Sequence, residues 1–153
     1  MDNYSTKLIH VNTAASVGIN RGDMVYQTGS GASAVASPVS AITYGGSVTL
    51  ANAQATAVSG FLGQSQDMKR VLDTRTDPIE IATAGRVSMT ASPVNTAYAV
   101  GTLFGLNGNG TNLTNQVVEV GSSANAIGVL VSASPVYATS VELGLINTIT
   151  EGV

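Results

Sequence analysis

Apolar and polar residues alternate with a period of two along most of the chain after residue 19. Ile79 and Ile81 fall on one face of such a run and Glu80 on the other, which is typical of a strand with one buried and one solvated face. The clearest runs of this kind cover residues 79–81, 87–91, 118–120, 127–133 and 141–145. Weaker strand candidates lie at 22–27, 39–44 and 58–63. The pattern predicts an all-β domain.

Turn signals separate these runs. Gly29-Ser30-Gly31, Gly45-Gly46 and Asn107–Gly110 supply the positive-φ positions that tight hairpins need, and a further turn is predicted at Ala84-Gly85. The tetrapeptide Ala-Ser-Pro-Val occurs three times at unequal spacing, and each copy is expected to end a strand because proline cannot donate to a ladder. Many short strands divided by such turns favour a small β-barrel or a jelly-roll-like β-sandwich.

Two segments depart from the strand pattern. Helix is predicted only at 50–57 and 65–72, and because neither has a broad apolar stripe, neither is expected in the core. Residues 1–18 include one possible short strand, Lys7–Val11, followed by a stretch with no sustained period. We predict an extended N-terminal arm over 1–18, held in place only by a neighbouring molecule, and a single β domain over 19–153.

Charged residues are unusually rare. They make up 10% of the 153 residues, with a net charge of −3, whereas an ordinary globular domain carries about 25%. A free monomer normally keeps its surface charged, and charge is depleted at the centre of interfaces. The composition therefore predicts that other copies of the chain cover part of its surface.

The composition also argues against several classes of protein. Six Lys and Arg residues are too few to neutralise a phosphate track, so no nucleic-acid partner is expected. The absence of cysteine excludes disulfides and cysteine-ligated metals. No apolar stretch approaches the roughly 18 residues of a membrane span, and the first residues lack the features of a signal peptide. We expect synthesis in the cytoplasm and no cofactor, metal, membrane or small-molecule substrate.

Few residues suggest catalysis. His10 is the only histidine, and no Gly-x-Ser-x-Gly motif is present. Glu80, Glu119 and Glu142 lie in the middle of predicted strands, where two of them would support glycoside hydrolysis only if they faced each other. The simpler interpretation is that they are solvated charges. We expect no enzyme, and a small hydrolase using these carboxylates is the least favoured alternative.

Residues 67–77 hold six of the fifteen charges of the chain. Alternating signs predict a self-neutralising loop, and a salt-sensitive contact with a partner is the second interpretation. The cations of this segment, together with residues of the arm, form the predicted partner-binding set. That set is Tyr4, Leu8, Ile9, His10, Val11, Lys69, Arg70 and Arg75.

The order of the strand segments resembles that of the small capsid-decoration, or cement, proteins of tailed bacteriophages, over residues 20–146. The segments that carry the resemblance are Gly22–Tyr26, Val58–Gly63, Ile79–Val87, Ile127–Ala133 and Ala138–Leu143. The resemblance implies a β-barrel or β-sandwich that trimerises on the outer surface of the phage head and clamps neighbouring major-capsid subunits. It implies no catalytic residues.

One alternative from another functional class stays open. The Asn-, Gly- and Thr-rich segment Asn107–Asn115 is compatible with a carbohydrate-binding β-sandwich module of a virion fibre. Such sites usually include an exposed aromatic platform, and no such platform is expected near this segment. The leading expectation is therefore a homotrimeric structural protein of the virion, located on the outer capsid surface and bound to the major capsid protein.

Overall fold

A computed structural model describes residues 7–92, 96–134 and 139–146, in which two five-stranded antiparallel sheets pack together. The strands of the first sheet follow the order β1-β5-β4-β2-β3, and those of the second follow β6-β10-β9-β7-β8. The strands are β1 (Lys7–Asn12), β2 (Met24–Thr28), β3 (Val35–Pro38), β4 (Phe61–Ser65), β5 (Pro78–Ala84), β6 (Arg86–Thr90), β7 (Leu103–Gly108), β8 (Leu113–Glu119), β9 (Gly128–Leu130) and β10 (Ser140–Leu145). The predicted all-β class is confirmed, as a β-sandwich and not as a closed barrel.

The first sheet is apolar on both faces. In β2, Met24 belongs to the large core between the sheets, whereas its neighbour Val25 belongs to a second cluster on the opposite side. Phe61 and Leu62 of β4 divide in the same way, because successive side chains of a strand point to opposite faces. The second cluster is closed by Ile19, which is fully buried.

The strongest predicted alternations are confirmed. Ile79 and Ile81 of β5 are buried and Glu80 is half-buried, and Met89 of β6 is buried between exposed neighbours. The turn at Ala84-Gly85 also exists, but it is a corner at which the chain passes from the first sheet to the second. Gly85 has φ +114°, a conformation that glycine adopts at little cost.

Three strand predictions are wrong. In the 118–120 run, Val117 and not Val118 is the fully buried valine, and β8 ends at Glu119. In the 127–133 run, Leu130 is buried and Val129 only half-buried, because β9 begins at Gly128, which packs its backbone directly against Leu143. The 39–44 run forms no strand, because Pro38 ends β3 and the chain turns into a single 3₁₀ turn at Val39–Ala41.

Helix α1 (Leu50–Ser59) confirms the helix predicted at 50–57 but not its predicted position outside the core. Its first turn is capped by the Thr49 hydroxyl, which accepts a hydrogen bond from the Asn52 backbone amide at 3.2 Å. Ala53 and Ala57, one turn apart, are buried in the large core, so the expectation that this helix avoids the core is wrong. Two small side chains let the helix backbone approach the sheet without an apolar stripe.

The second predicted helix does not form. Ser65 ends β4, and the residues that follow lie in the loop that leads to β5. In the part of the chain that the structure describes, no helix is long and apolar enough to cross a bilayer.

Residues 7–12 of the predicted arm form β1 at the edge of the first sheet. β1 pairs with β5 of the same chain, and an isolated bridge from Thr13 to Ala36 then brings it against β3, the other edge. Ile9 and Val11 pack against the second cluster. This part of the arm is therefore held by its own domain, because its period-two pattern buries two apolar side chains. Tyr4 lies outside the described residues.

Candidate docking surface on the 67–77 loop

The 67–77 loop joins β4 to β5 and is fastened to the chain that precedes β2. Ile19 and Lys69 form an antiparallel bridge, in which each backbone amide donates to the carbonyl of the other at 2.9 and 2.7 Å. The Ser16 amide also donates to the Asp73 carbonyl at 3.0 Å. Hydrogen bonds to the preceding chain therefore hold the loop backbone at Lys69 and at Asp73.

The side chain of Lys69 also holds the loop in place. It is only 7% exposed, and its Nζ donates to the carbonyl oxygens of Ala14 at 2.9 Å, Val17 at 3.2 Å and Asp73 at 2.9 Å. An ammonium group has three donors, and a buried charge is tolerated only when such donors are used. The predicted partner-binding residue Lys69 thus lies beneath the surface, with its donors occupied by its own backbone.

The second half of the loop is closed by Arg75 and Asp73. Arg75 Nε and Nη2 donate to Asp73 Oδ1 and Oδ2 at 3.1 and 2.9 Å, and the Arg75 amide donates to Oδ1 at 3.0 Å. These hydrogen bonds lower the pKa of Asp73 from 3.8 to about 2. The predicted self-neutralisation is therefore present at Asp73 and Arg75.

The outer face of the loop is apolar. Met68, Val71 and Leu72, which we call the apolar ridge, are 64%, 59% and 89% exposed. They border a surface groove of about 450 Å³ whose floor includes Gly18 and Asn20. Gly18 sits against Val71, where a Cβ atom would lie 3.3 Å from the Val71 Cβ.

One exposed arginine, Arg70, lines the groove beside the apolar ridge. Within the described residues Arg70 forms no ion pair, whereas Arg75 is bound to Asp73 and Arg86 lies 3.6 Å from Glu142. The surface therefore combines exposed aliphatic side chains with unpaired positive charge.

The other predicted partner-binding residues lie elsewhere. Leu8 is 51% exposed on β1, and His10 Nε2 lies 3.7 Å from Oε2 of Glu80, its cross-strand neighbour. Ile9 and Val11 face inwards. Leu8 also lies at the end of β1 remote from the loop, since Asn12 is the residue paired with Pro78 at the loop's end. The structure thus does not gather the predicted residues into one site.

The carboxylates proposed for the hydrolase alternative are kept apart. Glu119 is on β8 and Glu142 on β10, with β7 and β9 between them, so three strand spacings of about 4.8 Å separate their strands. Glu80 belongs to the other sheet. Glycosidases need their carboxyl groups within about 5 to 9.5 Å. In the described ranges, no three histidine or acidic residues are grouped as metal ligands.

The segment proposed for sugar binding contains a turn closed by its own side chains. Asn109 Oδ1 accepts hydrogen bonds from the Thr111 amide, the Thr111 hydroxyl and the Asn112 amide at 2.9 to 3.1 Å. Tyr44, which is far from this segment in the sequence, lies here with its ring against Gly108, and its hydroxyl accepts from the Gly110 amide at 2.7 Å. Asn109 Oδ1 and the Tyr44 hydroxyl are therefore engaged within the protein.

The apolar ridge is the feature that sequence reasoning missed. Its only signal was the presence of Met68, Val71 and Leu72 inside the most charged segment of the chain. No family model matches the sequence, and no curated protein matches it.

Proposed function

We propose that the chain is a structural virion protein, a capsid decoration protein that binds the outer surface of a phage head as a homotrimer and stabilises the major-capsid lattice. The observation that carries the proposal is the exposed apolar ridge on a fastened loop, in a chain with only 10% charged residues. The segment order that resembles phage decoration proteins adds independent support.

The physical logic of such a protein is attachment without chemistry. A decoration protein needs a rigid body and a surface that loses water when it meets the shell. The β-sandwich supplies the body, and the apolar ridge supplies exposed side chains whose burial is favourable. In a trimer, three weak contacts to one shell act together, so that the avidity exceeds the affinity of any single contact.

The alternatives receive less support from the geometry. The hydrolase alternative requires a close carboxylate pair, and Glu119 and Glu142 are three strands apart. The carbohydrate alternative requires free polar groups and an open aromatic face, and Asn109 and Tyr44 are engaged with their own loop.

Two measurements test the proposal. Sedimentation equilibrium of the pure protein at micromolar concentration is expected to give the mass of a trimer, and a stable monomer would contradict the homotrimer. Co-sedimentation with undecorated heads of the phage that encodes the chain is expected to show saturable binding. Failure to bind those heads would contradict the decoration function.

A further inference from the structure

We propose that the apolar ridge and Arg70 form the surface that contacts the capsid shell, and that its occupant is an aliphatic polypeptide segment flanked by a carboxylate. This inference rests on the proposed function, which by itself does not say which face of the protein meets the shell. The surface comprises Met68, Val71 and Leu72 with Arg70.

Exposure of the ridge argues for an apolar occupant. Single exposed apolar residues are common on protein surfaces, but a contiguous group marks an interaction site. Leu72 is 89% exposed and Met68 64% exposed, on either side of Lys69, which is 7% exposed. The loop thus places its hydrocarbon outside and its ammonium inside, the reverse of the usual arrangement.

Charge complementarity argues that the occupant is acidic. Arg70 makes no ion pair within the described residues and lines the groove, so it is available to a carboxylate of a partner. Its charge would favour encounter with an acidic segment and make the binding salt-dependent.

The same charge argues against a second copy of this surface as the occupant. Apposing two ridges would bring the Arg70 of one copy against that of the other, which is repulsive. The three acids of the loop also have partners in their own chain: Asp73 is bound by Arg75, Asp77 Oδ2 lies 3.6 Å from Arg75 Nε, and Asp67 Oδ2 accepts from the Glu80 amide at 2.8 Å. The loop of a second copy is therefore a poor source of carboxylates for Arg70.

The ordered backbone of the loop indicates that the surface is preorganised for binding. The Lys69 ammonium and the Ile19–Lys69 bridge hold the backbone from which the ridge projects. Docking onto a loop that is already ordered loses less conformational entropy than docking onto a mobile one.

Site-specific crosslinking tests the location directly. The chain has no cysteine, so Leu72→Cys introduces one thiol, and Val100→Cys provides a control at a residue that is 62% exposed. Each variant is labelled with a maleimide photocrosslinker, mixed with undecorated heads and irradiated. We expect residue 72, and not residue 100, to crosslink to the major capsid protein. A crosslink from residue 72 only to another copy, or none while the protein stays bound, would overturn the proposal.

Binding measurements test the chemistry. Leu72→Ser and Arg70→Glu are each expected to raise the apparent Kd for undecorated heads by about tenfold or more, whereas the matched controls Val100→Ser and Lys7→Glu change it less than about twofold. Arg70→Gln is expected to weaken the dependence of binding on salt concentration.

The outcomes separate this inference from the proposed function. If the wild-type protein binds heads and the ridge variants bind equally well, the ridge is not the contact but the decoration function stands. If the ridge variants lose the trimer, the ridge is a contact between copies and the shell assignment fails. If the wild-type protein does not bind heads, both proposals fail.

Discussion

The 67–77 loop and the 109–112 turn are both polar connections between strands, but they use their polar groups in opposite ways. In the turn, the Asn109 side chain accepts three hydrogen bonds from the two residues that follow it closely. In the loop, Lys69 reaches inwards to carbonyls of Ala14 and Val17, which are more than fifty residues away. The Asn109 side chain thus closes hydrogen bonds within the turn, whereas the Lys69 side chain joins the loop to the chain that precedes β2.

The difference shows what each connection can do. The 109–112 turn closes the hydrogen bonds of Asn109 internally, is also held by Tyr44 and Ser40, and leaves no exposed large apolar side chain. The loop uses its buried charge to hold a backbone that displays Met68, Val71 and Leu72 to solvent. Holding apolar groups in the open is unfavourable for an isolated protein, which is why the loop and not the turn is the candidate docking surface.

Lys69→Met removes the three hydrogen bonds of the Lys69 ammonium and is expected to have the largest effect on stability. Three carbonyl oxygens lose a charged donor while the side-chain volume is kept, so we expect the free energy of unfolding to fall by about 2 to 3 kcal/mol. Urea unfolding followed by circular dichroism measures it. The control is Lys7→Met, an exposed lysine on β1. A loss of less than about 0.5 kcal/mol at Lys69 would mean that the loop does not depend on this ammonium.

Asn109→Ala tests the local closure of the turn. The variant loses the acceptor of three hydrogen bonds at an exposed site, so we expect a loss of about 1 kcal/mol in the free energy of unfolding. Asn109→Asp keeps an acceptor oxygen and should stay within about 0.5 kcal/mol of the wild type. Equal losses in both variants would show that hydrogen bonding by Oδ1 does not stabilise the turn.

The contrast between the two connections also explains what could be predicted from the sequence. The alternation of apolar and polar residues predicted β5, β6 and β10, because the large apolar side chains of these strands recur at every second residue. The sheet to which each strand belongs could not be predicted, since the change of sheet at Gly85 depends on contacts made by distant strands. The phase of β9 was wrong because Gly128 has no side chain to mark its face.

The candidate site was predicted only in part. The concentration of charge marks residues 67–77, and their interleaved signs predict the self-neutralisation that Asp73 and Arg75 provide. The inward direction of Lys69 had no local signal, because two of its three carbonyl partners come from residues 14 and 17. Because the inward direction of Lys69 could not be predicted, the exposure of Leu72 could not be predicted either. The sequence instead predicts that Leu72 belongs to a helix over 65–72.

Arg75→Gln sharpens the comparison at low pH. Arg75 holds the pKa of Asp73 at about 2, below its ordinary 3.8, so in the variant we expect this pKa to return towards 3.8 in an NMR titration. Because the pKa is lowered by folding, the contribution of Asp73 to stability is present above pH 3.8 and is lost as the pH falls through 2. Lys7→Gln is the control. An unchanged pKa would show that Arg75 is not its cause.

Leu72→Ala is expected to have the smallest effect on stability and is the most direct test of the ridge. The side chain is 89% exposed, so its truncation removes little buried area, and the free energy of unfolding should change by less than about 0.5 kcal/mol. Thermal unfolding of the protein and of its variant measures the difference. A loss above about 1 kcal/mol would mean that Leu72 is buried in solution, either by its own chain or by another copy. The docking proposal places the ridge against a shell that is absent from this measurement, so it requires a stability that does not depend on Leu72.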